Sequence, residues 1–125
     1  MDQSAMKALV QRYVERHTAR DIEGVMSCFA SDASVWDPAD GEPFVGADAI
    51  RTFFSGTHAM AEQFDLALTG PIACCGPFAA FTMSAKVKIG EMRTEIDIVE
   101  VMTFNDGGLV SEMRAYWSAE DMRVS

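Results

Sequence analysis

The chain has 125 residues, a hydrophobic content of 49%, a formal net charge of −9 and a pI near 4.5. That length and apolar content suit one domain, residues 1–125, with a sizeable core, while the acidic balance leaves no basic stripe for phosphates, arguing against nucleic acid and anionic membranes and for an uncharged small ligand. The opening MDQSAMKALVQRYVERH has neither a basic leader nor a signal-length apolar run, and no later run is long enough to span a bilayer, so a cytoplasmic chain with no membrane partner is expected.

Met6, Leu9, Val10, Tyr13, Val14 and His17 recur at the three-and-four spacing of one helical face, with Asp2 or Ser4 available as cap. A second, short helix opens at Asp21 and carries Ile22, Val25, Met26 and Phe29 before Ser31 and Asp32 break it. Ala33 to Asp37 reads as a brief strand stopped by Pro38 and the turn-rich run Ala39 to Pro43. Gly46 to His58 is helical again, with Ala49, Ile50, Phe53 and Phe54 as its apolar stripe.

Beyond His58 the period changes from helical to alternating. Phe64, Leu66 and Leu68 alternate up to the Gly70–Pro71 turn, and Phe81, Met83, Ala85, Val87 and Ile89 alternate up to Gly90–Glu91. The next strand, Thr94 to Phe104, ends at the turn Asn105 to Gly108, and Leu109 to Trp117 returns with Leu109, Ser111, Met113, Ala115 and Trp117 sharing a face. Helices first and antiparallel strands last predict an α+β fold, three N-terminal helices on a curved, mostly antiparallel sheet that encloses an apolar pocket.

Within this pattern three polar side chains are interleaved with hydrophobic ones: Tyr13, Asp37 and Glu100. Glu100 shares its alternation with Ile96, Ile98, Met102 and Phe104, where an ionised carboxylate must find a partner, stay protonated or turn to water. A carboxylate beside an apolar pocket removes an acidic C–H proton, and two neutral donors hold the oxyanion that develops on the adjacent carbonyl, so the trio suits enolisation. Each residue also has an ordinary reading. From pattern alone Tyr13 reads as an ordinary core tyrosine and Asp37 before Pro38 as a turn opener, and Glu100 could be solvent-facing with Val99 and Val101 carrying the core instead.

The three cysteines Cys28, Cys74 and Cys75 have no metal-ligand spacing and are expected as buried, unpaired thiols. His17 and His58 lack the local spacing of a paired metal site, which points to surface or helix-end roles and no metal. No phosphate loop or nucleophile elbow is present in the sequence.

The stretches QRYVERHTARDIEGVMSCFASDASVWDPADGEPFVG, LTGP and IDIVEVMTFNDGGLVSEMRAYWS resemble, in order and spacing, the steroid Δ-isomerases, or ketosteroid isomerases, over nearly the whole chain. The resemblance implies the conical α+β fold shared with nuclear transport factor 2 and the polyketide cyclases, a homodimer, and a small hydrophobic steroid-like substrate converted without a cofactor. Known ketosteroid isomerases use an aspartate base with an oxyanion hole of one tyrosine and one protonated aspartate. By position the base falls on Asp37, the tyrosine on Tyr13 and the acid on Glu100, which departs from aspartate by one methylene. Phe54 stands where some members place a helper tyrosine, and Phe29 is similarly mute. Trp117, Met113 and Phe81, joined by Phe54 and Val101, fall where the family lines its steroid pocket. The resemblance leaves open a polyketide cyclase-like or epoxide-hydrolase-like enzyme of the same fold, and a non-catalytic ligand-binding dimer. Epoxide hydrolysis on such scaffolds leans on a carboxylate–arginine–carboxylate cluster, whereas Arg114 falls on the strand face away from Trp117 and Met113.

Overall fold

The computed structural model describes residues 2–125. Helix α1 (Gln3–Thr18) is capped by Asp2, whose side chain accepts from the Ala5 amide at 2.7 Å, and it buries Met6, Leu9, Val10, Tyr13, Val14 and His17. Helix α2 (Ile22–Met26) starts at Asp21, which accepts from the Gly24 amide at 2.9 Å. Helix α3 (Ala47–Met60) follows Gly46, whose φ of +88° suits a residue without Cβ at that sharp entry.

The strands are β1 (Phe29–Trp36), β2 (Phe44–Val45), β3 (Gln63–Leu68), β4 (Ala73–Cys75), β5 (Phe78–Ile89), β6 (Met92–Phe104), β7 (Val110–Tyr116) and β8 (Met122–Val124), the last preceded by a 3₁₀ turn, Ala119–Asp121. They form one sheet in the order β2-β1-β7-β6-β5-β3, with β4 on β5 and β8 on β6. Every pairing is antiparallel except β1 with β7. The helices pack on this mixed, open, curved sheet, α1 against β3 and α3 against β1, giving the expected α+β class. Among the described residues no helix is long and apolar enough to cross a membrane. Of the three thiols expected inside, only Cys28 is buried, and Cys75 is exposed on β4.

Two local readings change. Phe29 is not the last apolar residue of the second helix but the first of β1, where it pairs with Val110. Ser31 and Asp32, which look like a breaker, lie instead at a register irregularity between Phe29 and Ser34, so the polar pair bulges to solvent while the strand continues. The second change is in β7: Phe104 opposes Val110 and Thr103 opposes Glu112, leaving Ser111 as an extra residue. That bulge flips the alternation, and Val110 is fully buried instead of sharing the outer face of Glu112, Arg114 and Tyr116.

Candidate active site

The inner face of the sheet is built in rows set by register. Ala79, Met102 and Met113 make one row, and Phe81, Glu100 and Ala115 the next. Glu100 is only 3% exposed, so Val99 and Val101 do not carry the core at its expense. Val99 is 44% exposed on the outer face. The expectation that Val101 lines the pocket is corrected: it is the strand neighbour of Glu100 and therefore points to the opposite side, beside Arg114. On the inner face its place is taken by Ile98, which pairs with Met83.

Tyr13 descends from α1 onto this row and is 2% exposed, with its ring against Phe29, Phe54 and His17. Its side chain lies close enough to Glu100 for each group to shift the other's ionisation. Asp37 arrives from another direction. Trp36 lies in register with Arg114, and the Ala39 amide donates to the Ala115 carbonyl at 2.8 Å, so the intervening Asp37 is held beside the Glu100 row. The three candidates thus converge from a helix, a strand end and a mid-strand position.

Burial is the chief reason the Glu100 carboxyl is pushed well above its ordinary range, and the nearby Asp37 charge adds to it, while the Tyr13 hydroxyl works in the opposite sense. Tyr13 is raised as well, first by burial and then by the two carboxylates. Tyr13 is therefore a protonated donor at neutral pH, and Glu100 is shifted toward its protonated form. Glu100 Oε2 is buried with no partner among the described residues, an acid oxygen left free for something else.

Asp37 differs from Glu100 in being partly exposed. Burial raises its carboxyl, and a hydrogen bond donated by Trp117 Nε1 to Asp37 Oδ1 at 2.7 Å pulls it back. Trp117 is thus more than an apolar wall. The sequence placed it on the inner face, but its bond spans eighty positions and left no local signal. A cleft of about 520 Å³ opens at this point, bounded by Pro38, Ala39, Asp40, Tyr116, Trp117, Ser118 and Asp121. Its lining includes Pro38, the neighbour of Asp37, and Trp117, which donates to Asp37, while Phe54, Phe81 and Met113 are buried and do not border the cleft.

His17 and His58 also differ from expectation. Neither is a surface residue: they are 3% and 6% exposed, and His17 Nδ1 meets His58 Nε2 at 2.9 Å. Both lie on inward helical faces, at the same three-and-four spacing as their apolar neighbours, which is the signal that pointed inside. Burial, then His58, lowers His17 to about 3, so the imidazole is neutral at ordinary pH. The unfolded chain binds a proton near 6.5 that the folded His17 refuses until about 3, so stability falls as pH drops through that window. The slope is at most about 1.4 kcal/mol per pH unit for this one proton. Urea unfolding at pH 7 and pH 4.5 is expected to show this loss, and a His17→Leu variant to show a shallower one; equal slopes would remove His17 as the cause.

The SnoaL-like domain family matches residues 10–113. The chain belongs to the SnoaL-like family. It is 27% identical over 120 residues to a steroid Delta-isomerase of Nocardioides simplex, covering 96% of this chain and 95% of that one. It is also 28% identical over 132 aligned positions to the epoxide hydrolase LasB of Streptomyces lasalocidi, covering 95% of this chain but 43% of that protein. In three dimensions this SnoaL-like chain superposes on the epoxide hydrolase/cyclase-like enzyme SalBIII with a TM-score of 0.90 at 22% identity, over 99% and 98% of the two chains, which is a likeness of fold. The two sequence relatives named above are enzymes, one of them an isomerase. Arg114 of the SnoaL-like chain sits 3.8 Å over the Trp36 ring on the outer face, away from Asp37 and Glu100.

Proposed function

We propose that this protein is a steroid Δ-isomerase, which moves the double bond of a Δ5-3-ketosteroid into conjugation with its carbonyl. What carries the reading is one observation: a buried carboxyl, pushed toward its protonated form and with an oxygen lacking a partner, beside a buried phenol and near an aspartate at the edge of a cleft. Asp37 takes the proton from C4 as the C–H electron pair flows toward the carbonyl, forming a dienolate. Tyr13 and Glu100 donate hydrogen bonds to the developing oxyanion, where exclusion of water makes each donor worth more than in bulk solvent. Asp37 then returns its proton at C6. Phe54, Phe81 and Met113 form the apolar walls, Ile98 completes them on the sheet, and Trp117 both lines the mouth and orients the base. No cofactor enters this scheme.

Mixing the protein with 5-androstene-3,17-dione is expected to produce the ultraviolet absorption of the conjugated enone. An appearance rate no faster than the uncatalysed one would overturn the assignment. The likeness to an epoxide hydrolase supports a second reading, acid–base epoxide opening by Asp37 and Glu100 on another hydrophobic ligand. The position of Arg114 on the outer face speaks against it, since no guanidinium then bridges the two carboxyl groups. Turnover of an epoxide without any enone formation would favour that alternative.

The same reading includes a homodimer. Val99 and Tyr116 pair directly across β6 and β7 and are 44% and 48% exposed, an apolar strip on the outer face of a curved sheet. Sedimentation is expected to give twice the chain mass, and Val99→Lys with Tyr116→Lys to give the monomer; a wild-type monomer at micromolar concentration would exclude the dimer.

A further inference from the structure

His17 has no part in the scheme above, yet its position is unusual for a core residue. Its Nε2 is buried without a hydrogen-bond partner, and apart from Glu100 Oε2 no other buried side-chain polar atom among the described residues is left so. An orphaned buried nitrogen costs free energy unless something supplies the missing partner. The two nitrogens of an imidazole diverge, so with Nδ1 turned to His58, Nε2 points elsewhere, while the ring as a whole packs against Tyr13, Phe54 and Phe64. Tyr13 lies next to both residues: its ring centroid is 4.5 Å from that of His17, and it sits beside Glu100. No third His, Cys, Asp or Glu gathers with the histidine pair to suggest a metal centre among the described residues.

We infer that His17, held by His58, is a specificity-determining contact that hydrogen-bonds a second oxygen of the ligand, close to the carbonyl gripped by Tyr13 and Glu100. This rests on the oxyanion-hole reading and adds to it: the preferred substrate carries a hydroxyl or keto group near the reacting carbonyl, in addition to its apolar skeleton.

The histidine pair suits either group. When His17 Nδ1–H donates to His58 Nε2, the free His17 nitrogen is an acceptor for a hydroxyl. When His58 Nε2–H donates to His17 Nδ1, the free nitrogen carries hydrogen and serves a carbonyl. Burial keeps both rings neutral in either arrangement, and the change passes one hydrogen from His17 Nδ1 to His58 Nε2 while the hydrogen on His58 Nδ1 is released to solvent and His17 Nε2 takes one up, so the pair holds two hydrogens throughout. Phe54 has no polar atom to compete for the ligand oxygen.

The test uses 2-naphthol and a set of dihydroxynaphthalenes, whose first hydroxyl mimics the enol oxygen at Tyr13 and Glu100. At least one diol is expected to bind about tenfold tighter than 2-naphthol, the size of one hydrogen bond to an otherwise unpartnered group. His17→Leu is expected to erase that advantage while keeping 2-naphthol affinity, which also shows that the variant is folded. In wild-type protein labelled with ¹⁵N-histidine, the His17 Nε2 resonance is expected to shift more with the diol than with 2-naphthol, a readout independent of any variant. Equal binding of 2-naphthol and every diol, or an advantage that survives in His17→Leu, would overturn the inference alone. Failure of all the naphthols to bind would overturn the oxyanion-hole reading, and the inference with it.

Discussion

Asp37→Asn is expected to lower kcat for 5-androstene-3,17-dione about 10²–10⁴-fold while leaving steroid affinity largely intact, because an amide cannot accept the C4 proton. Asparagine keeps the shape of the side chain and an oxygen for the Trp117 indole, so the cleft beside Pro38 and Trp117 should remain as it is. The pH profile of the wild-type enzyme provides an independent check. Asp37 must be ionised to act, and burial raises its carboxyl above the usual 3.8, so the acid limb of kcat/KM is expected above the ordinary aspartate range. Trp117→Phe removes the hydrogen bond that favours the carboxylate and should move that limb to still higher pH. An Asp37→Asn enzyme retaining most of its turnover would place the base elsewhere, and an acid limb unmoved in Trp117→Phe would detach the indole from the ionisation that matters.

Removing either oxyanion donor is expected to cost about 10²–10³ in kcat, as for loss of one preorganised donor elsewhere. Tyr13→Phe removes only the hydroxyl and keeps the ring contacts with Phe29, Phe54 and His17, so its loss should fall on kcat with the fold preserved. Glu100→Ala leaves a hole beside Phe81 and Ala115 as well, and Glu100→Gln separates the two effects: its amide still donates, so part of the rate should return. The Gln variant is also expected to be less sensitive to rising pH. A carboxyl whose folded pKa is raised contributes stability that fades as pH climbs from the ordinary 4.5 toward the folded value, and an amide has no such proton to lose. The double variant Tyr13→Phe/Glu100→Ala should lose less than the product of the single losses, since the two donors serve one oxyanion. Full additivity, or tight binding of a fluorescent phenolic steroid unchanged in both single variants, would put the ligand oxygen somewhere else.

Local sequence determined a good deal of this protein. Apolar spacing at three and four put Tyr13 on the buried face of α1, and strict alternation put Glu100 on the side of Met102 and Phe104, because side-chain direction in a regular helix or strand follows from position alone. Which side of that strand was the core, and that His17 was inside, came from packing. Tertiary structure decided what those directions meet. The parallel partner of β1 comes from the far end of the chain, and its register turned a presumed breaker at Ser31 and Asp32 into a bulge and carried Asp37 to the Glu100 row. One extra residue, Ser111, reversed the side on which Val110 sits, a shift that alternation cannot announce because a bulge is made by two strands together. The indole bond to Asp37 and the joined imidazoles of His17 and His58 belong to the same class: each links groups far apart along the chain, and such contacts exist only once separate elements have packed and excluded water between them.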